Sequence, residues 1–434
     1  MRKSTEQIVE KIKEFIVAAE LKQDYRRAPT DFTRERKLTF QLLIVFMLRK
    51  LYKSLALEIG EFFGQIGLPG ATLSKSAFTQ ARQKLKPLFF ADLLSVFNNE
   101  FYTDNQDRVS KLKGMRILAV DGSTLDLPFS PELEAYYGSQ SNQHQQTRYV
   151  KGRVSIAYDL LNNMVVHGVL QPYAKGEMVA AIEHLAYCQP KDLLIYDRGY
   201  ACYQLVDEHR IRGLEVVVRL KVNSSKEVEE FAASPATDVE LIIKPGRDQK
   251  KKHGYSEQAA QQVRLIKLKL ENGEQVLLLT TLLDKEQYPA AFLLELYRMR
   301  WGVETRYDVL KNVLQVEYFS GLKKEAIEQD FYICLFLMNM QALLAEELKE
   351  EIAQKYAGRK YKYQDNLSVA VGFLKSKVVD LFLTKNTSQI LAHLKQSFLQ
   401  HVEPIRPGRK FPRQKDKYRN RKEPILIKNR KNGL

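Results

Sequence analysis

Cysteine is scarce: three in 434 residues, Cys188, Cys202 and Cys334. They stand too far apart for a metal-type spacing or a disulfide frame, so a zinc finger and a disulfide scaffold are both excluded and a reducing compartment fits. No glycine-rich phosphate loop of the Walker kind occurs, so ATP is not expected as a cofactor. No stretch supplies the roughly 20 consecutive apolar residues of a membrane helix. The longest apolar run, Phe331 to Ala345, is broken by Asn339 and Gln341 and reads as a buried core helix. The N-terminal stretch from Met1 lacks the apolar segment of a secretory signal, so a cytoplasmic location is expected. No internal repeat is visible, which excludes a solenoid. Acid is in deficit too: 52 Asp+Glu against 68 Lys+Arg leave a net charge of +16. That balance favours a polyanionic partner, nucleic acid ahead of a membrane surface.

What is present is a long chain of ordinary globular composition, for which two or three compact units are expected. Residues 1 to about 105 read as an all-α unit. Within it, the Gly67–Gly70 break separates a helix over Leu55–Ile66 from a basic one capped by Ser74 or Ser76 and carrying Lys75, Arg82, Lys84 and Lys86. This pair resembles a helix-turn-helix, which makes Arg82 and Lys84 candidate DNA contacts. From Met115 the pattern changes. A short apolar strand ends at Asp121, a hairpin turns at Asn162-Asn163, a helix follows Gly176, and a second buried strand ends at Asp197 before another helix and the strand Leu214–Leu220. The order predicts a mixed α/β sheet over 112–220. Residues 221–285 read as a β insertion with a type I′ turn at Asn272-Gly273 and a basic loop from Gly246 to Gly254. Helical patterns return over 286–325 and 326–402. The end, 403–434, is a basic tail, with twelve Lys/Arg between Arg406 and Lys431 against Asp416 and Glu423.

The stretch Leu293–Leu314 carries the densest chemistry. At about 100° per residue, Tyr297, Arg300, Glu304 and Lys311 fall within an arc of about 60° of one helix. Phe292, Leu296, Val303, Leu310 and Leu314 form a neighbouring apolar stripe that would pack on a core. Taken singly, Asp121 reads as an Asx-turn, Asp197 as a partner of Arg198, and Glu304 as a helix glutamate paired with Arg300 or Arg306. Taken together, two strand-end aspartates and a glutamate on a helix crossing them form a three-carboxylate set. Such a set requires cations, and hard oxygen donors suit Mg²⁺ or Mn²⁺. Two such ions and flanking phosphate-binding cations suit strand cleavage or transfer in nucleic acid. Trp301 reads as core packing rather than base contact, and His144 as part of a polar loop.

These residues are similar to a known group. Tyr, two residues, Arg, three residues, Glu, six residues, Lys matches Tyr297, Arg300, Glu304 and Lys311 at all four positions, with Trp301, Asp121-Gly-Ser-Thr and Tyr196-Asp-Arg-Gly-Tyr around them. The chain resembles the DDE transposases of bacterial insertion sequences, in the "insertion sequence four" group, over nearly its whole length. The resemblance implies an RNase H-like catalytic core interrupted by a β insertion, preceded by the helical domain and followed by C-terminal helices. It implies Asp121, Asp197 and Glu304 as catalytic metal ligands, and Tyr297, Arg300 and Lys311 as a phosphate clamp on DNA. It further implies Mg²⁺-dependent cutting at terminal inverted repeats, transfer of the 3′-OH to target double-stranded DNA, and a homodimer holding two ends, with no membrane partner. Relatives that cut through a DNA hairpin place a base-stacking Trp in the β insertion, whereas this chain's one Trp is Trp301. The alternatives are an RNase H-like nuclease that only hydrolyses, and a DNA-binding descendant without catalysis.

Overall fold

The computed structural model describes residues 4–34, 36–70, 73–103, 108–142, 145–269 and 273–406, with the side chains of 141–142 and 145–148 left aside. His144, Asn272 and the tail beyond Arg406 lie outside the described residues.

Five helices open the chain: α1 (Thr5–Ala19), α2 (Phe40–Leu48), α3 (Leu55–Gln65), α4 (Lys75–Gln83) and α5 (Leu88–Tyr102). Their starts follow from capping. Ser4, Thr39 and Ser74 each accept a backbone N–H of the first turn, which otherwise has no partner. The α2 helix begins at Phe40, eight residues after Phe32. Phe32 itself has φ 59°, which ends helical geometry there.

The sheet is built from β1 (Ile117–Leu127), β2 (Ser139–Asn142), β3 (Gln145–Asp159), β4 (Met164–Pro172), β5 (Leu193–Tyr196), β6 (Glu215–Leu220), β7 (Asp238–Ile243), β8 (Gln261–Lys269) and β9 (Gln275–Thr280). Interspersed are α6 (Pro131–Tyr137), α7 (Glu177–His184), α8 (Tyr203–Ile211), α9 (Lys226–Ala233) and α10 (Arg247–His253). Strand order is β2-β3-β1-β5-β6-β9-β8-β7, with β4 also on β3. The β1–β5 and β5–β6 pairings are parallel, and the others are antiparallel. The β3–β4 hairpin turns where expected, with Asn163 at φ 57°.

The region expected as a β insertion differs in two ways. It contains α9 and α10, the second formed by the expected basic loop and closed by Gly254 at φ 69°. It also extends the main sheet, because β9 pairs with β6 from Val217–Thr280 to Leu220–Leu277. Such a junction joins segments about 60 residues apart and leaves no local signal.

Side chains alternate across the sheet and so sort into two layers. Leu118, Val120, Leu194, Tyr196, Val216 and Val218 face α7 and α8, against Ala181, Leu185, Leu205 and Val206. Ile117, Leu193, Ile195 and Val217 face the opposite way, against Leu293, Leu296 and Tyr297.

The C-terminal part comprises α11 (Ala290–Met299), α12 (Trp301–Asp308), a π-helical turn (Val309–Val313), α13 (Lys324–Lys355), β10 (Tyr363–Asp365), α14 (Leu367–Leu383), α15 (Thr387–Gln400) and β11 (Val402–Pro404). By length and composition α13 could cross a membrane, but 78% of its apolar window is buried inside the protein. The polar residues that interrupt it explain this placement. Asn339 accepts from Val165 N–H at 2.7 Å and donates to Val165 O and Asn98 Oδ1, both at 2.9 Å, which ties α13 to β4 and α5. Gly168 permits the approach, since a Cβ there would lie 2.4 Å from Leu335 Cδ1.

Candidate active site at the end of strand β5

Asp121 does not end its strand. β1 runs on to Leu127 because β3 pairs with it throughout, from Leu118–Asp159 to Leu127–Val150. What ends is the parallel neighbour: β5 stops at Tyr196, and the last β1–β5 pair is Ala119–Ile195. Asp121 and Asp197 each lie two residues past that pair. By alternation both side chains share the face of Ile117, Leu193 and Ile195, which is the face α11 covers. Two aspartates therefore occupy level positions on one face where the sheet opens, a place at which parallel sheets form sites.

The helix expected over Leu293–Leu314 is three segments. Arg300, at φ −50° and ψ −34°, closes α11 and opens α12, and the chain then widens into the π turn holding Lys311. Leu296, Val303, Leu310 and Leu314 of the expected apolar stripe are fully buried, with Leu293 deeper than the half-buried Phe292. Gly302 lets α12 close on the β3–β4 hairpin, because a Cβ there would meet Leu160 Cδ2 at 2.7 Å.

The four polar residues reach the sheet opening. Tyr297 donates to Asp197 Oδ1 at 3.2 Å. Arg300 pairs with Glu304 at 2.9 Å, as the helix spacing allows, while its buried Nε has no hydrogen-bond partner among the described residues. Its guanidinium lies 5.7 Å from the Tyr297 ring and 5.4 Å from that of Trp301. Lys311 donates to Ser123 Oγ at 2.9 Å and Thr124 O at 2.7 Å on β1, and burial lowers its pKa. Burial raises the Asp121 carboxyl to about 6; the Gly122 N–H and Arg300 lower it, and Glu304 and Glu177 raise it further. Glu304 and Arg300 are thus both within electrostatic reach of Asp121.

Two expectations need correction. Arg82 is not a surface DNA contact: it is 4% exposed, and its guanidinium is spent on Gln329 Oε1, Ser320 Oγ, Ala326 O and Asp330. Its basic helix α4 packs that face on α13 instead of presenting it. Lys84, by contrast, stays partly open and pairs with Asp31 at 3.3 Å. Trp301 is 59% exposed, not core. Asp121, Asp197 and Glu304 are not gathered into a closed ligand set in this structure: among the described residues no three His, Cys, Asp or Glu groups stand together as such a set.

Other residues at the site carried no sequence signal that singled them out. Tyr307 and Ser155 both donate to the Asp121 backbone carbonyl, at 2.6 and 3.2 Å, clamping β1 from α12 and from β3. Tyr307 lies three residues after Glu304, so helical spacing alone could have nominated it. Behind Ser155, His184 Nε2 lies 2.9 Å from its Oγ, and His184 Nδ1 is 2.9 Å from His167 Nδ1. Glu177 opens α7 beside Gly122 and binds Arg153 at 2.6 Å.

The sequence matches a family model described as Transposase DDE domain over residues 112–340, more than half of the chain. The chain belongs to the DDE transposases. Its relatives place it in their IS4 group. It is 21% identical over 243 residues to the transposase InsG for insertion sequence element IS4 of Escherichia coli (strain K12), covering 54% of each chain. It is 23% identical over 294 residues to the transposase for insertion sequence element IS231E of Bacillus thuringiensis subsp. finitimus, covering 55% of this chain and 58% of that one. The chain thus matches little more than half the length of these two curated relatives. A piggyBac transposase synaptic complex with hairpin DNA superposes at a TM-score of 0.42 and 10% identity, over 95% of this chain and 86% of that one, too loosely to bear on the fold.

Proposed function

We propose that this DDE-family chain is a DNA transposase whose reacting centre is the opening between β1 and β5. One observation carries the reading: Asp121 and Asp197 lie level on one sheet face, with Tyr297 bonded to Asp197 and Arg300 and Glu304 in the field of Asp121. The antiparallel and parallel pairings that give the order β4-β3-β1-β5-β6 support an RNase H-like core, extended here by β7–β9.

Asp121, Asp197 and Glu304 would hold divalent cations, Mg²⁺ or Mn²⁺. The donor set fits them chemically: all three are oxygen donors, and burial, with Glu304 and Glu177 adding to it, already penalises the charge on Asp121. When bound, such ions supply neutralisation of the carboxylates and of the charge that develops on a transferring phosphoryl group. The protein's own residues supply the rest. Arg300 presents a buried, incompletely satisfied guanidinium, suited to bidentate phosphate binding. Tyr297 and Lys311 flank it, the first holding Asp197 in place and the second fixing β1 beyond Asp121. The substrates are the element's terminal inverted repeats and target double-stranded DNA, and two ends imply a homodimer.

The test is incubation of the purified chain with end-labelled duplexes bearing its own element's terminal repeats, a target plasmid and Mg²⁺. Cleavage at the repeat ends with 3′ ends joined to the plasmid is expected, and EDTA abolishes it. Cleavage without joining would make the chain a hydrolytic nuclease. Binding without cleavage would make it a DNA-binding descendant.

A further inference from the structure

A second cationic surface lies on the far side of α12 from the sheet opening. A cleft of about 750 Å³ runs between α12, the C-terminal half of α13 and the segment from Tyr356 to Asp365. Five cations line it: Arg306, Lys349, Arg359, Lys360 and Lys362. Arg359, Lys360 and Lys362 are exposed, and none of the five forms an ion pair among the described residues. The acids in the wall are otherwise engaged. Glu346 binds Arg108, and Asp365 accepts from Gln341 at 2.7 Å. Aromatic faces alternate with the cations: Tyr356 stacks on Tyr363 at 4.5 Å, and Lys360 lies 5.5 Å from the Tyr361 ring. At the inner end Arg306 sits two residues after Glu304 on the same helix, its guanidinium 5.3 Å from the Tyr158 ring and its buried Nε without a hydrogen-bond partner among the described residues.

We infer that this cleft binds the phosphate backbone of duplex DNA and carries the substrate away from the reacting centre along α12. Uncompensated cations interleaved with aromatics in a groove match a polyanion rather than a small ligand. The chain's own tail does not suit the groove. β11 pairs with β10 and Ile405 donates to Lys362 O at 2.8 Å, so the chain leaves at the cleft rim, but the sequence beyond is strongly basic and like charges repel. The inference rests on the reading of the chain as a DNA transposase, yet needs no catalysis.

The test is DNA binding by the full chain without divalent metal. Fluorescence anisotropy with a labelled 40-base-pair duplex is followed against salt for wild type, the triple variant R359E/K360E/K362E, and the control R210E/K385E, which reverses exposed cations elsewhere. The triple variant is expected to bind about 10-fold or more weakly near physiological salt and to flatten the slope of log affinity against log salt by about 2 to 3, with the control near wild type. A triple variant with unchanged slope overturns the inference, whatever the cleavage assay shows. Wild type that binds no DNA overturns it together with the transposase reading. Acetylation of the wild-type protein gives a readout that needs no variant. DNA is expected to protect Lys349, Lys360 and Lys362, and equal modification of all three with and without DNA overturns the inference.

Discussion

Arg82 and Arg300 are both buried arginines at 4% exposure, each in a helix whose sequence looks like a DNA contact. Their surroundings differ. Arg82 sits between α4 and α13 with every arm of its guanidinium bonded, and Asp330 opposite it is itself held by Ser320. Arg300 sits at the α11–α12 joint with one carboxylate partner and an unsatisfied Nε, beside an opening in the sheet. A buried cation with a complete set of partners ties the fold together. One with an incomplete set keeps capacity for an anion that arrives from outside.

This contrast can be broken first at Arg82. Arg82→Ala leaves buried Asp330 with only Lys50, at 3.9 Å, as counter-charge and is expected to destabilise the fold by about 2–4 kcal/mol. Thermal unfolding checks it, and a loss under 1 kcal/mol would mean the ion pair is dispensable. Arg300→Ala is expected to cost about 1 kcal/mol or less in the same melt, because it removes one part-exposed i,i+4 pair. Its cost should fall on DNA cleavage, which is expected to slow about 100-fold, as loss of a single transition-state donor does. Equal effects of the two substitutions on the melt would erase the distinction.

A smaller effect concerns the layer behind Asp121. Burial holds His167 down to about 3 and His184 well below its ordinary value, so both stay neutral where the unfolded chain takes up protons. Stability is therefore full above about pH 6.5 and is lost as pH falls from there toward 3. His167→Gln is expected to recover about 1–3 kcal/mol of that loss at pH 5 relative to pH 7.5, measured by urea unfolding at the two values. An unchanged pH dependence would show that the pair does not titrate in this way.

How much of this was legible varies by residue for physical reasons. The spacing of Tyr297, Arg300, Glu304 and Lys311 is local, and their convergence on the sheet opening follows from helix period and strand alternation. Asp121 and Asp197 are legible as ends of apolar runs, although only Asp197 directly follows the end of its strand, because the antiparallel partner that prolongs β1 is invisible from β1 alone. Arg82 misled because its partners Gln329 and Asp330 lie more than 240 residues away. Trp301 misled because aromatic content predicts burial only on average, and its position falls opposite the stripe of Val303 and Leu310. The π turn at Val309–Val313 is a local rewinding of the helix that the sequence pattern does not mark.

The proposed chemistry requires that Asp121, Asp197 and Glu304 act as one centre. The most direct measurement is single-turnover cleavage of a terminal-repeat duplex by wild type and by Asp197→Asn in Mg²⁺, with binding to the same duplex followed in parallel. Cleavage is expected to fall at least about 1,000-fold with DNA affinity within about 3-fold of wild type. Cleavage by Asp197→Asn at the wild-type rate would contradict that requirement.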